Sequence, residues 1–279
     1  MITFPCAKIN LGLNIVARRP DGYHDIETVF YPIPLCDALE VTLMHNDFPS
    51  QDGCDLKVTG DFINCPDADN LVVKAYQLLA KDFNLPRIHI HLWKQIPSQA
   101  GLGGGSSDAA FMIRLLDEHF RLNLGIAEME RYAAKLGADC AFFISAEPSY
   151  ATGIGDQLSP ADGPKGNLHG YHLVVVKPDV AVSTREAYAA ITPKKPAICC
   201  RDAVRRPITE WKELLVNDFE VPVFSRHPEL ERIKKGLYDS GALYAQMSGS
   251  GSALYGLFSC QPQDMASQFP DCHVYEADL

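Results

Sequence analysis

A glycine-rich segment at residues 97–110 constrains the fold of this chain more than any other stretch. It contains four glycines, at positions 101, 103, 104 and 105. Residues 87–94 before it alternate apolar and polar side chains, which predicts a strand, and residues 109–116 after it form an apolar run that favours a helix. Glycine allows close approach to a ligand and positive φ, so several backbone N–H groups can converge on one anion. The segment therefore predicts a strand, a phosphate-binding loop and a helix in succession.

Three polar residues stand where that helix is expected to begin. Ser106, Ser107 and Asp108 belong to the types that cap a helix N-terminus with a side-chain oxygen. The positive end of the helix would then point to the same place as the loop N–H groups. A flexible surface loop of small residues is the alternative, because linkers are also rich in glycine and serine. Linkers rarely join a strand so tightly to a capped apolar helix, which favours the phosphate loop.

Two familiar phosphate loops are excluded by their spacing. A Walker loop requires G-x-x-x-x-G-K-[ST], whereas here Ser106 follows Gly105 directly and the segment contains no lysine. The dinucleotide fingerprint requires G-x-G-x-x-G, but Gly101-x-Gly103 is followed by Ser106 at the position of the third glycine. The loop therefore belongs to another class of anion site.

The overall composition is that of a globular protein with an acidic surface. The 279 residues are 47% hydrophobic and 22% charged, which is enough apolar material for one large domain or two packed lobes. The formal net charge of −10 argues against nucleic-acid or anionic-membrane partners, because such binding relies on a basic field. Any anionic ligand must therefore be held by local groups.

Cysteine and histidine usage gives no strong metal or disulfide signal. The nine cysteines are odd in number and show no C-x-x-C spacing, so reduced thiols are favoured over a disulfide framework or zinc ribbon. His89 and His91 share one strand face, which makes a metal site conceivable, but partly exposed strand histidines are the simpler interpretation. The sequence contains no signal-peptide core and no apolar run long enough to span a membrane. We therefore expect a cytoplasmic protein.

The first 33 residues predict a hairpin with an unusual polar face. Lys8, Asn10, Gly12 and Asn14 alternate with apolar residues and so share one strand face. That face is either a solvated edge or the lining of a ligand cleft. A Pro-Asp-Gly turn follows at residues 20–22, before a second strand at 26–33.

The rest of the chain alternates helix and strand patterns. Strands are predicted at 39–44, 55–59 and 172–177, and helices at 70–81, 128–136, 184–191 and 228–238. Asp139 stands between the helix end at Gly137 and an apolar run through residue 144 that is expected to be a strand. Such a position suits a turn residue, or a catalytic carboxylate beside a core. Three arginines, Arg201, Arg205 and Arg206, are expected on a solvated face.

Three separated segments together resemble one family. Pro5-x-Ala7-Lys8-Ile-Asn10-Leu-Gly12-Leu, then residues 97–110, and then Ser248-Gly-Ser-Gly251 resemble, in order, the three signature motifs of the GHMP kinases. The resemblance implies an α+β fold of two α/β lobes, with a mixed sheet and helices in an N-terminal lobe over residues 1–158. A ferredoxin-like C-terminal lobe over residues 159–279 and an active-site cleft between the lobes are implied as well. The polar Pro/Gly segment at 160–166 agrees with a boundary there.

The resemblance also implies a reaction. Arg19-Pro-Asp21-Gly22-Tyr23-His24, the triple glycine and Gly137-Ala138-Asp139 are similar to the branch that phosphorylates the 2-hydroxyl of a cytidine-diphosphate-linked methylerythritol in non-mevalonate isoprenoid synthesis. Lys8 and Asp139 match the catalytic pair of that family. Asp139 would accept the hydroxyl proton, and Lys8 would stabilise the charge that develops on the oxygen.

Binding residues are implied for both substrates and for Mg²⁺. ATP would be bound by Asn70, Lys94, Pro97, Ser98, Gln99, Ala100, Gly101, Leu102, Gly103, Gly104, Gly105, Ser106 and Ser107. Ser106 or Ser107 would also reach Mg²⁺ of the Mg-ATP complex. The acceptor would be held by Asn10 on its sugar-phosphate side and by Tyr23, His24 and Tyr188 at the cytosine. Oligomeric state is left open.

Departures from the family pattern are few. Asp108 stands where asparagine is frequent, which adds charge near a phosphate site, and Cys140-Ala141 replaces a frequent Val-Pro. Mevalonate kinase and homoserine kinase are alternatives within the same family, although the Asp21-Gly-Tyr23-His24 turn argues against them. A nucleotide sensor without catalysis is an alternative of another class, but such a protein should have lost Lys8 or Asp139.

Overall fold

The computed structural model describes residues 1–49, 53–61, 65–161 and 168–279. They form two compact units built from interleaved segments of the chain. The first unit comprises Met1–Ala7, Leu35–Ser98 and Gly103–Glu147, and the second comprises Lys8–Pro34, Gln99–Leu102 and Pro148–Leu279. Most of the expected boundary segment at 160–166 lies outside the described residues, and a division between residues 158 and 159 stays a prediction.

Strands and helices alternate along the described chain, as the mixed pattern predicted. In chain order the strands are β1 Ile2–Thr3, β2 Cys6–Arg18, β3 His24–Cys36, β4 Ala38–Leu43, β5 Cys54–Gly60, β6 Ile88–Lys94, β7 Ser149–Thr152, β8 Gln157–Pro160, β9 His172–Pro178, β10 Tyr244–Met247, β11 Leu254–Phe258 and β12 Cys272–Asp278. The helices are α1 Leu71–Leu79, α2 Gly104–Phe120, α3 Ile126–Ala134, α4 Phe142–Ser145, α5 Thr184–Ala189, α6 Cys200–Ala203, α7 Trp211–Leu214, α8 Glu220–Arg226, α9 Pro228–Asp239 and α10 Met265–Gln268. Short 3₁₀ turns occupy Asp67–Asp69, Ala138–Cys140 and Ile208–Glu210. The α+β fold class is confirmed.

The first unit contains a mixed sheet in the order β1-β4-β6-β5, in which only the β5–β6 pair is parallel. Its central strand β6 buries Ile88, Ile90 and Leu92 and turns the alternate side chains away from the core. On that outer face His89 pairs with Asp55 (3.2 Å), and His91 lies 2.8 Å from the hydroxyl of Thr59. Both histidines therefore have side-chain partners on the neighbouring strand.

The second unit contains two sheets, β2-β3-β7-β8 and the antiparallel β10-β11-β9-β12. Strands β2 and β3 are adjacent and joined by the turn at residues 19–23, which confirms the hairpin. A core of buried apolar side chains joins this hairpin to the second sheet and its helices. It includes Ile15, Val174, Val176, Phe219, Leu237 and Met247.

Two local expectations were wrong. The apolar run after Gly137 forms a 3₁₀ turn and the short helix α4 instead of a strand, because a short buried run fits either structure and only its surroundings decide. Helix α2 begins at Gly104 with Gly103 as its N-cap, so Ser106, Ser107 and Asp108 lie within its first turns and do not cap it. Glycine at the N-cap tolerates the left-handed φ of 74° found there.

Across residues 1–49, 53–61, 65–161 and 168–279, no helix combines the length and apolarity that crossing a bilayer requires. All nine cysteines fall within these ranges and are free thiols.

Candidate active site

The backbone of the central glycine segment has left-handed residues at the spacing that an anion nest uses. Positive φ recurs at every second residue, with values of 51° at Gln99, 75° at Gly101 and 74° at Gly103. Alternation between left- and right-handed conformations turns successive N–H groups toward one point. Helix α2 follows, 17 residues long, and among the described residues no side chain caps its first N–H groups. Those N–H groups are available to an anion at the positive end of the helix.

Lys8 is buried on strand β2, with 3% of its surface exposed. Its ammonium donates to Oδ1 of Asn10 (2.6 Å) and to the carbonyl of Gly101 (2.9 Å), and it lies 5.2 Å from the ring centroid of Phe30. The polar face of β2 is therefore buried inside the protein and is not a solvated strand edge. Asn10 is also engaged, because its amide donates to Thr28 (2.9 Å).

The second glycine loop, residues 247–251, packs on the first part of the central glycine segment. Ser248 Oγ donates to the carbonyl of Gly101 (2.9 Å), which also accepts from Lys8. A Cβ at position 101 would lie 2.0 Å from the carbonyl oxygen of Ser248. Glycine is therefore required at 101 by both the positive φ and the contact with a backbone atom.

Asp139 lies in the 3₁₀ turn Ala138–Cys140, which packs against the first turns of α2 within the first unit. The next residue, Cys140, is hydrogen-bonded to the side chain of Ser106. Burial raises the pKa of the Cys140 thiol to about 11, so this group is neutral at physiological pH. The turn therefore places Asp139 close to the start of α2.

The two serines of the segment differ in accessibility. Ser106 is partly exposed, whereas Ser107 is fully buried and its hydroxyl has no hydrogen-bond partner among the described residues. The backbone N–H of Ser107 donates to Gly103 (2.9 Å), which starts the hydrogen-bond ladder of α2. Ser106 is thus the hydroxyl that an exogenous ligand reaches without a change in the helix.

A cluster of buried charged side chains includes Asp108 in the first turns of α2. Lys94, at the end of β6, pairs with Asp108 (2.7 Å) and with Asp37, and Asp37 also accepts from the backbone N–H groups of Gln95 (2.6 Å) and Ile96 (2.8 Å). Lys94, Asp37 and Asp108 are at most 4% exposed. Two carboxylates therefore share one ammonium. Asn70, the other residue expected near ATP, accepts from the N–H of Val72 (3.1 Å) and caps α1.

Burial, followed by the negative charge of Asp37, raises the pKa of Asp108 to about 8, although Lys94 opposes the shift. The extra charge of Asp108 is thus balanced by Lys94 and by a proton. This explains how a second carboxylate is tolerated beside Asp37 in a buried position.

Asp108→Asn is expected to flatten the dependence of stability on pH. A carboxyl whose folded pKa is about 8 and whose ordinary value is 3.8 retains its proton in the folded state while the unfolded chain releases it. The free energy of unfolding therefore falls between about pH 4 and 8, by up to about 1.4 kcal/mol per pH unit. Urea unfolding at pH 5 and 8 measures this difference. Asp61→Asn, at an exposed carboxylate, should keep the wild-type slope, and an unchanged slope in Asp108→Asn would contradict the assignment.

Aromatic rings meet at another place in the second unit. His24 and Tyr188 stack with their centroids 5.1 Å apart and their planes 21° apart, and Phe219 meets the Tyr188 ring at 4.8 Å and 89°. This spacing is that of rings in direct contact, with no room for a base between them. Tyr23, next to His24, is 63% exposed. The structure therefore brings His24 and Tyr188 together and leaves Tyr23 in solvent.

Sequence reasoning missed three residues that organise these groups. Asp37 at the junction of β3 and β4 reads as a turn residue, and nothing nearby in the sequence indicates its pairing with Lys94, 57 positions later. Asn217 and Phe219 lie in a short connection that was given no role. The only available signal was the polar pair Asn217-Asp218 beside apolar neighbours, which is typical of many surface turns.

Comparison with known proteins gives the family. The family model for the GHMP kinases N terminal domain matches residues 70–147, and the model for GHMP kinases C terminal matches residues 200–271. A protein of Bacteroides fragilis named 4-diphosphocytidyl-2-C-methyl-D-erythritol kinase is 53% identical over 279 residues, covering 100% of both chains. This chain belongs to the GHMP kinase family. It is an ATP-dependent small-molecule kinase.

Further relatives of this GHMP kinase support the same placement. A Bacteroides thetaiotaomicron protein of the same name is 57% identical over 259 residues, covering 92% of each chain. The crystal structure of a 4-(cytidine 5'-diphospho)-2C-methyl-D-erythritol kinase superimposes with a TM-score of 0.81 at 30% identity, covering 99% of this chain and 98% of the other. The Methanococcus jannaschii mevalonate kinase, with a TM-score of 0.73 at 13% identity over 100% and 98% of the two chains, shares the fold.

Proposed function

We propose that this GHMP kinase transfers the γ-phosphoryl group of ATP to the 2-hydroxyl of 4-diphosphocytidyl-2-C-methyl-D-erythritol. The products are the 2-phosphate and ADP, and the step belongs to non-mevalonate isoprenoid synthesis. Relatives with this acceptor in their names match the chain end to end at 53% identity. The observation that carries the choice of acceptor is the His24–Tyr188 stack, since it is an aromatic surface of the kind that binds a nucleobase.

We propose that the phosphates of ATP bind at the nest and the N-terminus of α2. The uncapped N–H groups of that helix and the alternating positive φ of the loop supply donors and positive potential. Residues 97–107 would surround the phosphates, with Asn70 and Lys94 on the adenosine side. Because Lys94 is 4% exposed and paired with two carboxylates, we propose that it acts on ATP mainly by fixing the start of α2.

Mg²⁺ fits the same place. The Ser106 hydroxyl is partly exposed at the start of α2 and is available to a hard cation. The Ser107 hydroxyl lacks a partner among the described residues, but it is fully buried and would need a change in the helix to reach a cation. Mg²⁺ held there with ATP would neutralise charge on the transferring phosphoryl group. Of the two hydroxyls, Ser106 is favoured by its accessibility.

For the chemical step we propose separate roles for Lys8 and Asp139. Asp139 accepts the proton of the acceptor hydroxyl, or anchors that hydroxyl for attack. Lys8 stabilises the negative charge that develops on the same oxygen. Lys8 is suited to this because Asn10 and the Gly101 carbonyl fix its ammonium before any substrate binds. We propose that Asn10 lies on the acceptor side, and its Oδ1 orients Lys8. Phosphoryl transfer depends mainly on such positioning and electrostatics.

The cytosine is proposed to replace the His24 ring on the face of Tyr188. A pyrimidine needs an open aromatic face, and in the structure His24 covers the face of Tyr188 at 5.1 Å. Once displaced, the imidazole of His24 can hydrogen-bond the edge of the base. The exposed ring of Tyr23 is free to stack on its other side.

Tyr188→Ala is expected to raise the KM for the acceptor by about 10- to 100-fold, because stacking on one aromatic ring is worth about 1–3 kcal/mol. The KM for ATP should stay within twofold of wild type. Tyr188→Phe keeps the ring and serves as the matched control. An unchanged acceptor KM in Tyr188→Ala would contradict the assignment of the cytosine site to Tyr188.

An ADP-release assay tests the proposed function directly. The purified enzyme is given ATP, Mg²⁺ and, in separate reactions, the cytidine-linked acceptor, mevalonate or homoserine. Acceptor-dependent ADP release with the cytidine-linked compound, at least 100-fold above the other two, is the expected result. Turnover of mevalonate or homoserine instead would assign another reaction in the family. ATP binding without turnover of any acceptor would assign a nucleotide sensor.

The expected setting of this reaction is the cytoplasm, where ATP is available as the phosphoryl donor. We propose that the partners of the enzyme are its two small-molecule substrates.

A further inference from the structure

We infer that Asn217 is a positioning residue for phosphoryl transfer, because it holds the second glycine loop against the Gly101 carbonyl where Lys8 is fixed. This inference rests on the proposed function, since it assigns a role to Lys8 in the reaction. Asn217 itself is 2% exposed and contacts no group expected to react.

The amide of Asn217 binds both ends of the tight bend in the second glycine loop. Its Nδ2 donates to the carbonyl of Met247 (2.8 Å) and to the carbonyl of Gly249 (2.8 Å). Its Oδ1 accepts from the backbone N–H of Phe219 (2.9 Å). Both N–H donors of one buried amide therefore set the path of residues 247–249, at a site where an unsatisfied donor is costly.

The neighbours of Asn217 anchor it to the strand that carries Lys8. The backbone N–H of Asp218 donates to Leu13 (2.9 Å), and its carboxylate accepts from the N–H of Ile15 (2.8 Å). Glu220 accepts from the N–H of Met247 (2.9 Å), the residue whose carbonyl Asn217 binds. Residues 217–220, which we call the clasp, thus tie β2 to the start of the second glycine loop.

The loop held by the clasp in turn fixes the surroundings of Lys8. Ser248 and Lys8 donate to the same carbonyl, that of Gly101, at 2.9 Å each. Ser248 also lies within 3.4 Å of Asn10 Oδ1, which accepts from Lys8. A shift of the loop would therefore change two of the contacts that hold the ammonium. Misplacement of a catalytic group by about 1 Å can cost about 100-fold in rate.

The substitution Asn217→Asp tests the positioning role of Asn217. The carboxylate retains the acceptor for Phe219 but replaces two donated hydrogen bonds with repulsion between oxygens at Met247 and Gly249. We expect kcat for ADP release to fall by about 10- to 100-fold, with the KM for the acceptor within twofold of wild type. Amide hydrogen exchange in a peptide covering residues 247–253 should accelerate at least about tenfold, since local opening reports lost protection.

The matched control is Asn123→Asp, the same chemical change at an exposed amide that donates to a single carbonyl, that of Arg121 (2.9 Å). It should leave kcat, KM and the exchange of residues 247–253 unchanged. If Asn217→Asp fails to fold, Asn217→Ala removes the same donors without adding charge and is measured in the same way.

Two results would overturn the inference. One is a kcat within twofold of wild type in a folded Asn217 variant. The other is a loss of activity that equals the unfolded fraction, with exchange accelerated evenly over the second unit, which would indicate stability alone. The exchange measurement needs no substrate, so it still tests the clasp if the wild-type enzyme does not turn over the cytidine-linked acceptor. In that case it is the proposed function that fails.

Discussion

Lys8→Ala and Asp139→Asn are each expected to lower kcat by at least about 100- to 1,000-fold, because each removes a group that we propose acts on the attacking oxygen. The reason differs between the two. The ammonium of Lys8 is buried and held by Asn10 and Gly101, so its positive charge has a fixed position. Asp139 stands beside the positive end of α2, where the phosphoryl group is proposed to bind.

The measurement is acceptor-dependent ADP release at saturating substrates, together with circular dichroism to show that the fold persists. Lys8→Met keeps most of the apolar stem beside Phe30 and separates charge from volume. Lys57→Ala and Asp61→Asn, at exposed positions, are the matched controls and should retain full activity. Near-normal turnover in folded Lys8→Ala or Asp139→Asn would exclude that residue from the chemical step.

Lys94→Met is expected to destabilise the enzyme by about 3–5 kcal/mol, the usual cost of removing one partner of a buried ion pair. The change leaves Asp37 and Asp108 buried without the ammonium that both contact. Because the uncompensated carboxylates can neutralise themselves by taking up protons, the loss should be largest near pH 8 and smaller near pH 5. Urea unfolding of wild type and variant at both pH values measures it.

A double variant tests whether charge is the cause. Asp37→Asn combined with Lys94→Met removes one carboxylate with the ammonium and should recover part of the lost stability. Lys57→Met, at an exposed strand position, should change stability by less than about 0.5 kcal/mol. If Lys94→Met raised only the KM for ATP and left unfolding unchanged, the lysine would be a nucleotide contact and not a support of α2.

Much of the local structure followed from periodicity. The alternation at 87–94 and the apolar run after the glycines predicted β6 and α2, because each pattern has one period and a clear end signal. The strand prediction for the run after Asp139 was wrong because five buried apolar residues fit a strand and a helical turn equally well. The helix cap failed because glycine at 103 takes the left-handed conformation and starts the helix three residues early.

The contacts within the site could not be predicted from sequence periodicity. Lys8 meets Gly101 across 93 positions, and Asn10 meets Ser248 across 238, so no local pattern contains either pair. The family resemblance selected Lys8 and Asp139 as candidates, but it did not indicate that Asp37 neutralises Lys94 or that Asn217 holds the second glycine loop. Those partners depend on tertiary packing of segments that are remote in the chain.

The close approach of Gly101 to Ser248 limits how this enzyme can change over evolutionary time. A methyl group at 101 would meet a backbone oxygen at 2.0 Å, and every residue type at 248 carries that oxygen. No second substitution at 248 can therefore make room for it. At Gly104, by contrast, the nearest atoms all belong to side chains, Ile96 Cγ2 at 2.9 Å, Ile96 Cβ at 3.2 Å and Lys94 Nζ at 3.3 Å, and a smaller residue at 96 would remove the first of them. A substitution at 96 can therefore relieve part of the crowding that alanine would cause at 104, whereas no substitution at 248 can relieve it at 101.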